Sequence, residues 1–255
     1  MAVIAVFNQK GGVGKTTTCL NVSAALACLE RRPLAIDLDP QAHLTLSFGL
    51  RDESREGGTI ADFYRSEKPL VGLVRDLANG MRLIPGHMEL SKIDALYGNS
   101  TSIVSRLRDG LQESLAWEDS PILIDCCPML GVLSLNAIFA ADRVLIPVSA
   151  DFLSMQGVER LDAALSVLEK ALKRSIERKV VLTRFDSRRK FSHQVYAMLK
   201  ERYGDSLCET RITENVSLAE SPSHGKSVFD FAPHSQGAKD YLALTAELLE
   251  KNFIQ

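Results

Sequence analysis

The chain has 255 residues, 45% of them apolar, with a formal net charge of −2. It is long enough to bury the core of one large α/β domain. No apolar run approaches the ~18 residues of a membrane span, and the N-terminus reads as a strand rather than a signal peptide. The five cysteines are odd in number and lack zinc-type spacing, which fits reduced thiols in a reducing compartment.

In chain order, the first predicted element is a strand over residues 2–7, followed at 8–17 by Asn-Gln-Lys-Gly-Gly-Val-Gly-Lys-Thr-Thr. This is a phosphate-binding loop, G-x-x-x-x-G-K-[ST], with an additional lysine, Lys10, inside it. Gly11, Gly12 and Gly14, with Val13 between them, let successive N–H groups converge on phosphate oxygens. The helix that follows points its positive end at the same place. Lys15 is expected to reach the β/γ-phosphates and the Thr16 hydroxyl to ligate Mg²⁺. The ligands named by the loop are therefore a nucleoside triphosphate and magnesium.

A helix is predicted over 15–31, carrying Cys19 and Cys28 as buried small hydrophobes. A strand over 34–38 ends in Asp37-Leu-Asp-Pro-Gln41. The polar stretch 51–70, with Gly57-Gly58, reads as an excursion. Further strands are expected at 81–85, 121–126, 143–147, 179–184 and near 208–212, and helices at 101–116, 131–141, 156–174, 190–203 and 235–251. Most of the strands are continuous apolar runs, the mark of a sheet covered on both faces. Strand–helix alternation implies right-handed crossovers. The expected fold class is α/β, a P-loop NTPase with a mostly parallel, doubly wound sheet, as a single domain over 1–255. Ligands then sit at the carboxyl ends of the strands.

Two aspartates fall where this architecture would use them. Asp125 ends an apolar strand beside the loop and is expected to hold Mg²⁺ through water. Asp39 is the candidate for orienting the attacking water near the γ-phosphate and for the metal site. Alone, a strand-end aspartate is more often a cap or turn former; two of them beside a phosphate loop reverse that reading. Residues 170–211 hold twelve Lys/Arg against five acids, a basic segment on an acidic body that suggests a polyanion surface.

Lys10 to Thr17, Asp37 to Gln41 and Ile124-Asp125-Cys-Cys-Pro128 resemble the deviant Walker ATPases of the ParA/MinD family. The likeness runs essentially end to end, through Leu130–Pro147, Asn215–Lys226 and Gly237–Tyr241, and is strongest to short Soj-like ParA proteins. It implies a molecular switch. Lys10 would cross to the partner subunit's ATP and close a sandwich homodimer, with Gly12 where the two loops meet. Lys15, Thr16 and Thr17 would serve nucleotide and magnesium, and Asp39 water activation. The resemblance further implies slow ATP hydrolysis and binding of nonspecific DNA by the ATP dimer. It also implies stimulation by a ParB-like or cargo-adaptor protein, in the cytoplasm on the nucleoid. The cargo would be a plasmid, a chromosome region or a large protein assembly.

Departures from the family pattern accompany the likeness. Cys127 replaces the first of two prolines after Asp125-x. Glu214 and Ser217 stand in the segment where Soj-like proteins carry DNA-binding arginines, and a glutamate near phosphates is repulsive. Arg184, Arg188, Arg189, Lys190 and Arg211 would have to carry DNA binding. Among the rivals, a MinD-like membrane-associated positioning ATPase needs a basic amphipathic tail. Tyr241–Phe253 instead has Glu247 and Glu250 among its charges and reads as a docking helix. An iron–sulfur carrier needs a second interface cysteine that is missing. A small-molecule kinase has no use for Lys10.

Overall fold

The computed structural model describes residues 2–50, 57–97, 103–115 and 120–254. Eight strands form one sheet, β1 (Val3–Val6), β2 (Leu34–Asp37), β3 (Arg75–Asp76), β4 (Arg82–Ile84), β5 (Ile122–Asp125), β6 (Arg143–Ser149), β7 (Glu177–Phe185) and β8 (Leu207–Thr213). Their order is β3-β4-β2-β5-β1-β6-β7-β8. Every pairing is parallel except that of β3 with β4. The mostly parallel, doubly wound α/β fold expected from the sequence is thus present, with an antiparallel edge strand too short for any pattern to announce it.

The eleven α-helices among the described residues are α1 (Lys15–Cys28), α2 (His43–Ser47), α3 (Ile60–Tyr64), α4 (Ser91–Tyr97), α5 (Arg106–Leu115), α6 (Val132–Ala140), α7 (Phe152–Leu172), α8 (Lys190–Tyr203), α9 (Val216–Glu220), α10 (Val228–Phe231) and α11 (Gln236–Glu250). The predicted helix 101–116 is α5; its ends at 101–102 and 116 lie outside the described residues, as do 51–56 of the excursion. Helix α1 stops three residues before position 31. Glu30 takes a left-handed φ of 58°, and the Arg31 amide folds back onto the Leu26 carbonyl. Cys28 then falls on the last turn and is exposed, so the expectation that it is buried is corrected, while Cys19 is fully buried.

Alternation along the strands explains the unbroken apolar runs. Ile4, Val6, Ala35, Leu123, Leu145 and Val181 face one apolar layer with α1 and α11. Val3, Ala5, Ile36, Ile122, Ile124, Val144 and Val180 face the other, with α6 and α7. Both faces are covered, as a parallel sheet requires. The C-terminal helix is capped by the Ser235 side chain, which accepts from the Ala238 amide. It buries Tyr241, Leu244 and Leu248, each worth roughly 1.5–3 kcal/mol. That face is occupied by the body of the protein, as the docking-helix reading expects. No helix among the described residues is long and apolar enough to cross a membrane.

Candidate functional site

The loop between β1 and α1 is tied to β6 and β7 and braced within itself. The Asn8 amide donates to the Pro147 carbonyl at 2.8 Å, and its Oδ1 accepts from the Lys10 amide at 3.0 Å. The Thr183 hydroxyl donates to the Val13 carbonyl at 2.8 Å. Gly12 and Gly14 take φ of 74° and 89°, conformations that need glycine. Gly14 is also the N-cap of α1 and offers no side-chain cap, leaving the first helical N–H groups for an anion.

Lys15 is buried, and its Nζ donates to the Lys10 carbonyl at 3.0 Å. Burial pulls its pKa down, opposed most by Asp125. Asp125 ends β5 directly beside β1, with Val6 opposite it in the register. Its carboxylate is fully buried, and among the described residues neither oxygen completes a hydrogen bond. Burial, then Asp37, pushes its pKa well above the usual range; the Thr16 hydroxyl lies close enough to favour the charged form. An unsatisfied buried carboxylate costs about 1–3 kcal/mol or more, so its presence calls for a partner outside the chain. A hard divalent cation shared with the Thr16 hydroxyl and phosphate oxygens has the matching chemistry.

Asp37 and Asp39 are two residues apart and do different work. Asp37 accepts from the Asp39 amide at 3.1 Å and from the Thr45 amide and hydroxyl at 2.8 and 2.7 Å. Burial raises its pKa to about 6, against those hydrogen bonds. The Gly86 amide donates to the Thr45 hydroxyl at 2.8 Å, and a Cβ on Gly86 would sit 2.7 Å from the Asp37 carboxyl carbon. Asp37 thus shapes the turn that presents Asp39. Asp39 is almost buried and closes the next turn by accepting from the Gln41 amide at 2.9 Å. Helix α2 starts four residues beyond Asp39, at His43. Its end touches the 221–225 turn backbone to backbone: a Cβ on Gly225, whose φ is 63°, would lie 2.6 Å from the Gly49 Cα.

Lys10 pairs through its ammonium with Asp151, just after β6. The sequence reading missed Asp151, along with Asn8, Thr45 and Thr183. None has a local signature, and only the placing of β6 beside β1, and of β7 beside β6, would have found Asp151 and Thr183. A cavity of about 340 Å³ adjoins the loop, lined by Gly12, Gly14, Thr17, Arg184, Glu214 and Tyr241 among others.

The basic residues divide. Arg174, Arg178 and Arg202 are held by the Phe139 and Ala141 carbonyls, Glu169 and Asp162. The residues expected to bind DNA lie near the carboxyl ends of β7 and β8. Arg188 clamps Asp186 through Nε and Nη2 at 2.9 and 3.0 Å, and Arg189 adds a third contact at 3.2 Å. Arg184 donates to Glu214 at 3.2 Å. Arg211 is sandwiched between the Phe185 and Tyr196 rings at 4.9 and 4.8 Å. Lys190 opens α8 and is exposed.

A glycine-rich loop between the first strand and first helix, with carboxylates on two neighbouring strand ends, defines a P-loop nucleoside-triphosphatase fold. Residues 1–178 match the family described as AAA domain. The chromosome partitioning protein ParA of Myxococcus xanthus is 35% identical over 252 residues, 98% of this chain and 88% of that one. The chromosome-partitioning ATPase Soj of Thermus thermophilus is 37% identical over 250 residues, covering 97% and 95%. A solved structure called cobyrinic acid a,c-diamide synthase, from Mycobacterium smegmatis with bound ADP and magnesium, is 28% identical. It superposes with a TM-score of 0.85 over 99% of this chain and 95% of that one. The chain belongs to the ParA/MinD family, beside the ParA and Soj partitioning ATPases.

Proposed function

We propose that the protein is an ATP-driven positioning switch. In this reading it binds ATP and Mg²⁺, closes into a homodimer, holds nonspecific DNA as that dimer, and hydrolyses ATP slowly until a ParB-like or adaptor protein speeds it. The cargo is a plasmid, a chromosome region or a large protein assembly. The observation that carries the nucleotide half is Asp125, a fully buried carboxylate beside Lys15 and Thr16 that completes no hydrogen bond among the described residues. The ADP and magnesium named for the Mycobacterium smegmatis structure support the same ligand pair.

Each residue then has a task. The amides of Gly11 to Thr17 and the Lys15 ammonium bind the phosphates. Thr16 and, through water, Asp125 would hold the magnesium, with Asp39 near it; the ion would supply positive charge against the phosphates. Asp39 orients a water against the γ-phosphorus; the new P–O bond forms as the bond to the β–γ bridging oxygen breaks, giving ADP and phosphate. Lys10 leaves Asp151 to meet the partner's nucleotide, adding charge stabilisation that one subunit lacks.

Light scattering on wild type, Lys10→Ala and Asp39→Ala with ATP tests the switch. Wild type should dimerise, Asp39→Ala should stay dimeric for longer, and Lys10→Ala should bind nucleotide yet remain monomeric. Equal loss of nucleotide binding and dimerisation in Lys10→Ala would remove the cross-subunit role.

A further inference from the structure

At the rim of the 340 Å³ cavity the chain fills an anion position with its own carboxylate. Glu214 lies between two guanidinium groups: Arg184 Nη2 is 3.2 Å from Oε1, and Arg189 Nη2 is 3.9 Å from Oε2. The three residues come from different elements, the end of β7, the N-cap of α8 and the residue after β8. Arg184 holds a left-handed φ of 52°, and the pairing of β7 with β8 slips between Leu182 and Phe185. Such an irregularity breaks strand alternation and re-aims a side chain. A non-glycine residue kept at positive φ is one the surrounding fold over-determines.

The two carboxylates of the patch are not equivalent. Asp186 is nearly buried, accepts the Arg188 amide at 3.0 Å and is clamped on both oxygens by the Arg188 side chain, so it builds the turn. Glu214 is 43% exposed, and among the described residues its carboxylate accepts no backbone hydrogen bond. Exposed ion pairs of this kind contribute little stability, so Glu214 is the replaceable member.

We infer that Arg184 and Arg189 form a phosphate-binding site masked by Glu214, and that its ligand is a phosphodiester of a nucleic-acid backbone. The inference rests on the DNA-binding reading above and deepens it. A phosphate oxyanion makes the same charge-assisted contacts to two guanidinium groups as the carboxylate does. Exchange of one for the other releases counterions, and the gain grows as salt falls. Arg184 and Glu214 also line the cavity beside the loop, so an occupant of that cavity meets both members of the pair.

The test compares wild type, Glu214→Gln and the double variant Glu214→Gln/Arg184→Ala, each with ATP, on a nonspecific duplex followed by fluorescence anisotropy across a salt series. Unmasking should tighten binding by about 3- to 10-fold at low salt and steepen the log–log salt slope by about 1–2. The double variant should lose the gain. If wild type binds DNA and Glu214→Gln binds no tighter, the masked site is overturned and the DNA reading stands. If neither binds DNA, the DNA reading falls. Thermal stabilisation by inorganic tripolyphosphate then decides the site: an effect in Glu214→Gln that the double variant lacks keeps an anion site but not its nucleic-acid ligand, and no difference removes both.

Discussion

Two charged regions share the carboxyl edge of the sheet and are built on opposite rules. Under the phosphate loop, Lys15 and Asp125 are buried, and the carboxylate completes no hydrogen bond among the described residues. At the β7–β8 rim, Arg184, Arg188, Arg189, Asp186 and Glu214 are matched to one another. The first region holds an unmet demand that a ligand satisfies. The second has met its demand internally, so a ligand there must displace something. Affinity at the loop follows from burial, whereas an anion binding at the rim would have to compete with Glu214 and would do so best at low salt.

The largest expected effect tests the first rule. Lys15→Ala should weaken ATP binding on the order of 100-fold, because it removes a charge-assisted contact in a desolvated cradle. Calorimetric titration checks it, and unchanged affinity would mean the cradle is not the site. A second substitution compares tolerance. Gly86→Ala drives a Cβ to 2.7 Å from the Asp37 carboxyl carbon and should cost about 1–3 kcal/mol in urea unfolding. Glu214→Gln should stay within about 0.5 kcal/mol by the same measurement. Equal costs would erase the contrast between the regions.

The smallest effect concerns pH at the rim. Arg188 holds the Asp186 carboxyl at about 2, below its ordinary 3.8. A carboxyl lowered by folding contributes stability above the unfolded value and loses it as pH falls through the folded one. The difference in unfolding midpoint between wild type and Asp186→Asn should therefore be constant above about pH 4 and shrink toward zero by about pH 2. A difference that persists at pH 2 would show that Asp186 acts through packing alone.

The place of the glycine loop between β1 and α1, of Asp39 and Asp125 at the carboxyl ends of β2 and β5, and of the long strands was legible because each carries a local signal: glycines at fixed spacing, or an unbroken apolar run ending in a carboxylate. Helix α8 begins and ends where the sequence placed it. Helices α2 and α3 have five residues each, too few for a 3.6-residue period to show. The surplus of positive charge in 170–211 was real in composition, but its meaning depended on pairing. Arg178 and Arg202 turn to acids of α7, and Arg211 is stacked between two rings. Contacts between residues 30 to 141 positions apart, such as Arg184–Glu214 and Lys10–Asp151, leave no trace in local pattern.

The meeting of Gly49 and Gly225 has a consequence for how this sequence is free to drift. Each glycine sits at positive φ, and a methyl group on Gly225 would collide with the Gly49 backbone. A Cβ on Gly49 would in turn press the Gly225 carbonyl at 3.3 Å, and the stretch ending at Gly49 is the one that begins at Asp39. Two regions about 176 positions apart thus meet through bare backbone, so a side chain placed on Gly225 would push directly on the stretch that begins at Asp39.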